Sequence, residues 1–196
     1  AKKRLVVVRQ KRNSSLGYRV SQSVVKAIQD NTAIEPERLE GLSTRTIFNR
    51  LHNIFADIAN GVSSSQIGLQ EICDIMNSNH ENRFVEAALK LGINNLGSSE
   101  ETMMMFYMLH RIISFNDNEF TIDELSRLFD DPLGLNDVIF DAMRKGESTL
   151  QEKGLVEHPC EDGLENREVY QIPRRIQDEL LADLSAKGGQ SKSSIP

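Results

Sequence analysis

Tryptophan is absent from this sequence, proline occurs 5 times, and cysteine is limited to 2 residues. So little proline excludes fibrous and Pro-rich classes. The cysteines, Cys73 and Cys160, stand far apart and make no disulfide framework, so reduced thiols are expected. No apolar run approaches the ~18 residues that a membrane span needs. The basic start, Ala1 to Leu5, is not followed by a signal-peptide core with a small-residue cleavage site. A cytoplasmic chain is expected. What is present is a globular balance of 39% hydrophobic and 27% charged residues over 196 positions, enough for one large domain or two small ones.

The net charge of -6 hides an asymmetry. Residues 1–50 hold 11 Lys/Arg against 4 Asp/Glu, a net of +7, and residues 119–184 hold 7 against 17, a net of -10. A basic front and an acidic back predict two units with different surfaces. Phosphate backbones attract the first and repel the second.

The pattern along the chain is mainly helical. Val6 to Val8 reads as a short strand among cations, and Val20, Val24, Val25 and Ile28 predict a short helix near 21–30. Ile47, Leu51, Ile54 and Ile58 recur at helical spacing and predict a helix over 44–60, with Ser43 as N-cap and Gly61 after its end. Further helices are expected over 66–77 and 82–91, giving a small bundle with short loops. "SSEETMMMFYMLHRIISF" then predicts a helix apolar on nearly every side, which is a buried helix. Its methionines are read as core filling rather than a soft binding face. Ser98 with Glu101, and later Thr121 with Glu124, have the spacing of a capping box, in which the glutamate reaches back to the cap's own N–H. From residue 120 a short strand, a helix through Phe129, a third helix near 135–145, two strands around an acidic turn and a closing helix over 174–184 follow in winged-helix order. The expected division is 1–42, a basic arm and short helix; 43–97, a helical bundle; 98–184, a winged-helix-like domain with a small β-hairpin; and 185–196, a flexible linker.

The search for chemistry returns no catalytic constellation. "GINNLGSS" has two glycines at the interval of a phosphate loop but lacks the lysine and follows a helix. "NDNEFTIDE" puts Phe120 where an EF-hand loop needs glycine and Ser126 where it needs the chelating glutamate. His158 and Cys160 are two ligands where a closed zinc site needs four, and His52, His80, His110 and Cys73 sit singly along helices. Nucleic acid has one candidate footing, the arm of Lys2, Lys3, Arg4, Arg9, Lys11 and Arg12, whose competing reading is an edge strand guarded by charge. The helix where a groove-reader would sit carries Asp137 and Asp141, and the wing carries Glu157, Glu161, Asp162, Glu165 and Glu168 against Arg167. That sign repels phosphate, so DNA is disfavoured and a protein-docking role is expected.

"GESTLQEKGLVEH", the acid-rich turn after it, "REVYQIP" and a Leu-rich helix resemble the winged-helix-like segment that precedes the ATPase module in a group of bacterial AAA-family ATPases. Upstream, "LSTRTIFNRLHNIFADI" and "NRFVEAALKLG" resemble the helical region found there, and the final "SSIP" falls about where that group's linker enters the ATPase domain. The chain has no phosphate loop, no Asp/Glu pair on a strand and no arginine finger, so no functional residue of the family is carried onto it. The resemblance implies a non-catalytic, N-terminal interaction or regulatory region. ATP and magnesium would belong to a module downstream of residue 196, and the partner would be a protein or that module. No metal and no membrane are expected. The alternative is a winged-helix transcription or replication factor using the basic arm. A free-standing enzyme is a third reading that no residue supports.

Overall fold

The stripe of isoleucines, leucines and phenylalanines in the first long helical segment becomes the inner face of α1, Thr44–Ala59, where Ile47, Phe48, Leu51, Ile54 and Phe55 are buried. The computed structural model describes residues 6–10, 16–20, 27–32, 39–129 and 137–185. Ser43 caps α1 by accepting from the Thr46 N–H, and Gly61 follows its end at φ 63. Against α1 lies α2, Ser65–Asn77. Gly68 permits their close approach, since a Cβ there would stand 2.8 Å from Ile58 Cδ1 and 3.0 Å from Ile54 Cγ2. Next, α3 (Arg83–Lys90) buries Phe84, Val85 and Ala88, with Asn82 accepting from the Phe84 and Val85 N–H groups. Of the short helix expected near 21–30, residues 27–29 are helical and 21–26 lie outside the described residues.

Two asparagines tie the incoming chain to this bundle. Asn79 is 4% exposed; its Oδ1 accepts from the Leu42 N–H at 2.7 Å and its Nδ2 donates to the Leu39 and Ile75 carbonyls at 2.6 and 2.7 Å. Asn82 Nδ2 donates to the Leu42 carbonyl at 3.0 Å. Alanine at position 79 leaves buried backbone groups unpaired, so Asn79→Ala is expected to cost about 1–2 kcal/mol in urea unfolding. The Leu42 amide should lose its hydrogen-exchange protection first.

The apolar helix is α4, Ser99–Phe115. Met103, Met104, Met105, Phe106, Met108 and Leu109 are each 1% exposed or less, so the methionine triplet is core. α4 packs on α1 and α2, and also on α7, Thr149–Glu152. A single contiguous cluster of buried side chains runs from Ile47 to Leu181.

Behind α4 lie α5 (Ile122–Ser126) and α6 (Asp137–Lys145). Phe120 pairs antiparallel with Tyr170, and Glu157 with Gln171, so the 170–171 segment lies between the other two. Asn118 extends the first pairing: its amide donates to the Ile172 carbonyl at 3.1 Å and accepts from the Ile172 N–H at 3.0 Å. The strands β3 (Cys160–Glu161) and β4 (Leu164–Glu165) make a hairpin closed by Asp162 and Gly163 at φ 51 and 80, the positive pair of a type I′ turn. The expected closing helix is split at Leu181 into α8 (Arg174–Leu180) and α9 (Ala182–Ser185). That bend brings Asp183 to Thr44 and to Arg83, 3.4 Å away in each case. In the front part, β1 (Val6–Gln10) pairs antiparallel with β2 (Leu16–Val20).

Both expected capping boxes are half made. Ser98 and Thr121 accept from the N–H groups of Glu101 and Glu124. The glutamates do not complete the boxes, because each finds a tertiary partner. Glu101 is 5% exposed and accepts from the Thr149 N–H at 2.7 Å. Glu124 accepts from Arg111 and, at 3.0 Å, from the Tyr107 hydroxyl.

Candidate functional site: the acidic helix and hairpin

The period of α6 sorts its residues cleanly. Phe140 and Met143 point inward, at 5% and 0% exposure, while Asp137, Val138 and Asp141 face solvent. Val138 is 76% exposed. The helix carries two acids and two cations, and Asp141 meets both cations, Lys145 Nζ at 3.0 Å and Arg144 Nη1 at 3.8 Å, so its exposed face has no net charge. The same hydrogen bond raises the Lys145 ammonium above its ordinary value. At the hairpin, Leu164 is 77% exposed beside exposed Asp162, Glu165 and Glu168, and Arg167 is held by Glu165 at 3.0 Å. α6 thus exposes Val138 among balanced charges, and the hairpin exposes Leu164 among carboxylates. The hairpin's net negative charge repels phosphate, and its exposed leucine among carboxylates suits cations carried on aliphatic stems.

The strands that present this hairpin are anchored from below. Tyr170 is fully buried, and the His158 ring lies on it with centroids 4.6 Å apart. His158 Nδ1 lies 2.8 Å from the Val169 carbonyl, which can only accept, so this nitrogen carries the proton. His158 is thus engaged in structure, and Cys160 is an exposed thiol two residues on. Among the described residues no group of three or more His, Cys, Asp or Glu is placed to hold a metal ion.

The other sequence candidates resolve as follows. Lys2, Lys3, Arg4, Lys11 and Arg12 lie outside the described residues, and Arg9 falls in β1. Glu161 has its backbone in β3. "GINNLGSS" forms a left-handed turn at Gly92 and a single 3-10 turn, Ile93–Asn95. Lys153 donates to the Gly92 and Asn95 carbonyls there, at 3.3 and 3.1 Å. In "NDNEFTIDE", Asp117 and Glu124 both grip Arg111.

One pairing was not legible in the sequence. His52 on α1 and His110 on α4 meet, with Nδ1 and Nε2 3.1 Å apart. His110 is 4% exposed and its Nδ1 has no partner. Phe55, Tyr107 and Phe115 surround it at ring distances of 5.2, 6.3 and 5.7 Å. Burial foremost, then His52 and Arg111, lowers its pKa to about 4. A neutral imidazole in an aromatic nest braces two helices; it is not poised for proton transfer near neutral pH.

No protein-family model, curated protein or solved structure matches this chain.

Proposed function

We propose that this chain is the non-catalytic, N-terminal interaction and regulatory region of a bacterial AAA-family ATPase, a helical bundle followed by a winged-helix-like unit that docks protein. The parent would bind and hydrolyse ATP with magnesium downstream of residue 196 and use the energy to remodel or thread a partner. The reading is supported by the order helix, bridge, helix, helix, short helix, bridge, hairpin, bridge from α4 to Gln171, with Tyr170 bonded to Phe120 and Gln171 to Glu157. One observation carries the docking role: in that order, the hairpin is negative, the helix that would enter a groove has no net charge, and they expose Leu164 and Val138.

Mixing the chain with a random duplex at physiological salt is expected to show no binding by fluorescence anisotropy, and the isolated chain should release no phosphate from ATP. Affinity that falls steeply with salt and disappears when Lys2, Lys3, Arg4, Lys11 and Arg12 are neutralised would replace this reading with the DNA-binding one.

A further inference from the structure

The chain enters the front bundle and ends its closing helix at one joint. The entry is the segment 39–42, held by Asn79 and Asn82. At the other end, α9 places Asp183 at the first turns of both α1 and α3. One hydroxyl connects the two. Thr44 is 6% exposed, and its Oγ1 lies 3.4 Å from Asp183 Oδ2 and 3.3 Å from Asn82 Oδ1. A hydroxyl has a single hydrogen, so it serves one of these acceptors at a time, and the charged one is favoured. Asn82 Oδ1 then keeps its two lone pairs for the Phe84 and Val85 N–H groups, at 2.9 and 3.4 Å. Those are first-turn amides of α3, which have no partner inside the helix.

We propose that α9 is a latch on this joint. Docked, Asp183 draws the Thr44 hydrogen and leaves Asn82 to cap α3. When α9 releases, the hydrogen turns to Asn82 Oδ1, a third donor competes for two lone pairs, and the longer bond from Val85 gives way. Asn82 also donates to the Leu42 carbonyl at 3.0 Å, so its reorientation loosens the entry segment. The departing carboxylate takes a favourable negative charge from the N-termini of α1 and α3 as well. Packing makes α9 the part that moves. Leu180 and Leu181 are 1% and 7% exposed and anchor the end of α8, while Ala182, Asp183 and Leu184 are only partly buried. Asp183 meets Arg83 in an exposed ion pair, and such pairs hold weakly. A partner or a pull acting on residues 182–184 is thereby felt at 39–42. The coupling does not depend on the ATPase reading.

Amide hydrogen exchange of the whole chain, followed residue by residue by NMR, tests it. Asp183→Ala is expected to speed exchange at Val85 and Leu42 by about threefold or more, the scale of an exposed ion pair and a shared hydrogen bond. Glu157, whose N–H donates to the Gln171 carbonyl at 2.9 Å, should not change. Thr44→Val removes the hydrogen that changes hands, so adding Asp183→Ala to it should have little further effect at Val85. Thr44→Ser should keep the full effect. Coupling is reciprocal, so Asn79→Ala, which frees the entry segment, should speed exchange at Leu184, whose N–H donates to the Leu181 carbonyl at 3.0 Å. The latch is overturned by Val85 and Leu42 amides unmoved by Asp183→Ala, by an equal rise at Glu157, by an effect undiminished in the Thr44→Val background, or by a Leu184 amide indifferent to Asn79→Ala. Should Thr44→Val fail to fold, the Asn79→Ala measurement decides alone.

Discussion

Lowering the pH from 7 to 4 is expected to remove about 3 kcal/mol of stability through His110 alone. The ring is 4% exposed, and its pKa falls from 6.5 to about 4 on folding. Between those values the unfolded chain holds a proton that the native chain does not, so stability rises with pH across that window. The contribution is complete above about 6.5, declines as the pH falls, and levels off below about 4. The physical cause is local. A charged His110 would lie among Phe55, Tyr107 and Phe115, with His52 at 3.1 Å and the Arg111 guanidinium alongside. Asp117 and Glu124 are already committed to Arg111. His110→Phe keeps the ring contacts and removes the titrating group, and exposed His52 can bond to water instead. Urea midpoints at pH 7, 5.5 and 4 should drop steeply in the wild type and shallowly in the variant, whose remaining slope belongs to carboxylates. Parallel slopes would show that His110 titrates as it does in water.

That network also marks where sequence reading stops. Periodicity is a property of one segment, so the stripe of α1 and the all-round apolar α4 were visible in the letters. Caps were visible too, because Ser43, Ser98 and Thr121 act on amides three residues away. What the same glutamates do next was not. A capping box and a tertiary acceptor have one spelling, and only packing decided that Glu101 would turn to Thr149 and Glu124 to Arg111. The His52–His110 pair has no spacing to find, since its two members lie on different helices. The acidic surface was legible because charge counts need no contacts. Its exposed apolar pair, Val138 and Leu164, needed the fold, for Val138 sits in a run whose neighbour Ile139 is partly buried.

Gly97→Val is expected to cost roughly 3 kcal/mol, by overpacking the one joint where the start of α4 meets α7 and by breaking its hydrogen bond. The glycine is not there for a left-handed turn. It is there because a Cβ would overlap Thr149 Oγ1 outright and come within 2.8 Å of Glu101 Oε2. Those two residues are bonded to each other, Thr149 N–H to Glu101 Oε1 at 2.7 Å, and Glu101 is buried. A side chain at 97 therefore either pushes the carboxylate off the Thr149 amide or moves α7, and α7 leads directly into the buried Leu155 and Val156 below the acidic hairpin. The nearest obstruction is the Thr149 hydroxyl, with the Glu101 carboxylate next, which makes the prediction specific. Gly97→Ala should be destabilising in the wild type and recover part of its loss in a Thr149→Ala background, where Oγ1 is gone but the Glu101 carboxylate remains. Glu101→Ala should instead cost about 1–3 kcal/mol in either background, because the amide at 149 is left unpaired whatever its side chain. A double-mutant cycle by urea unfolding measures the coupling; additive losses at 97 and 149 would show that the two side chains do not compete for the same space.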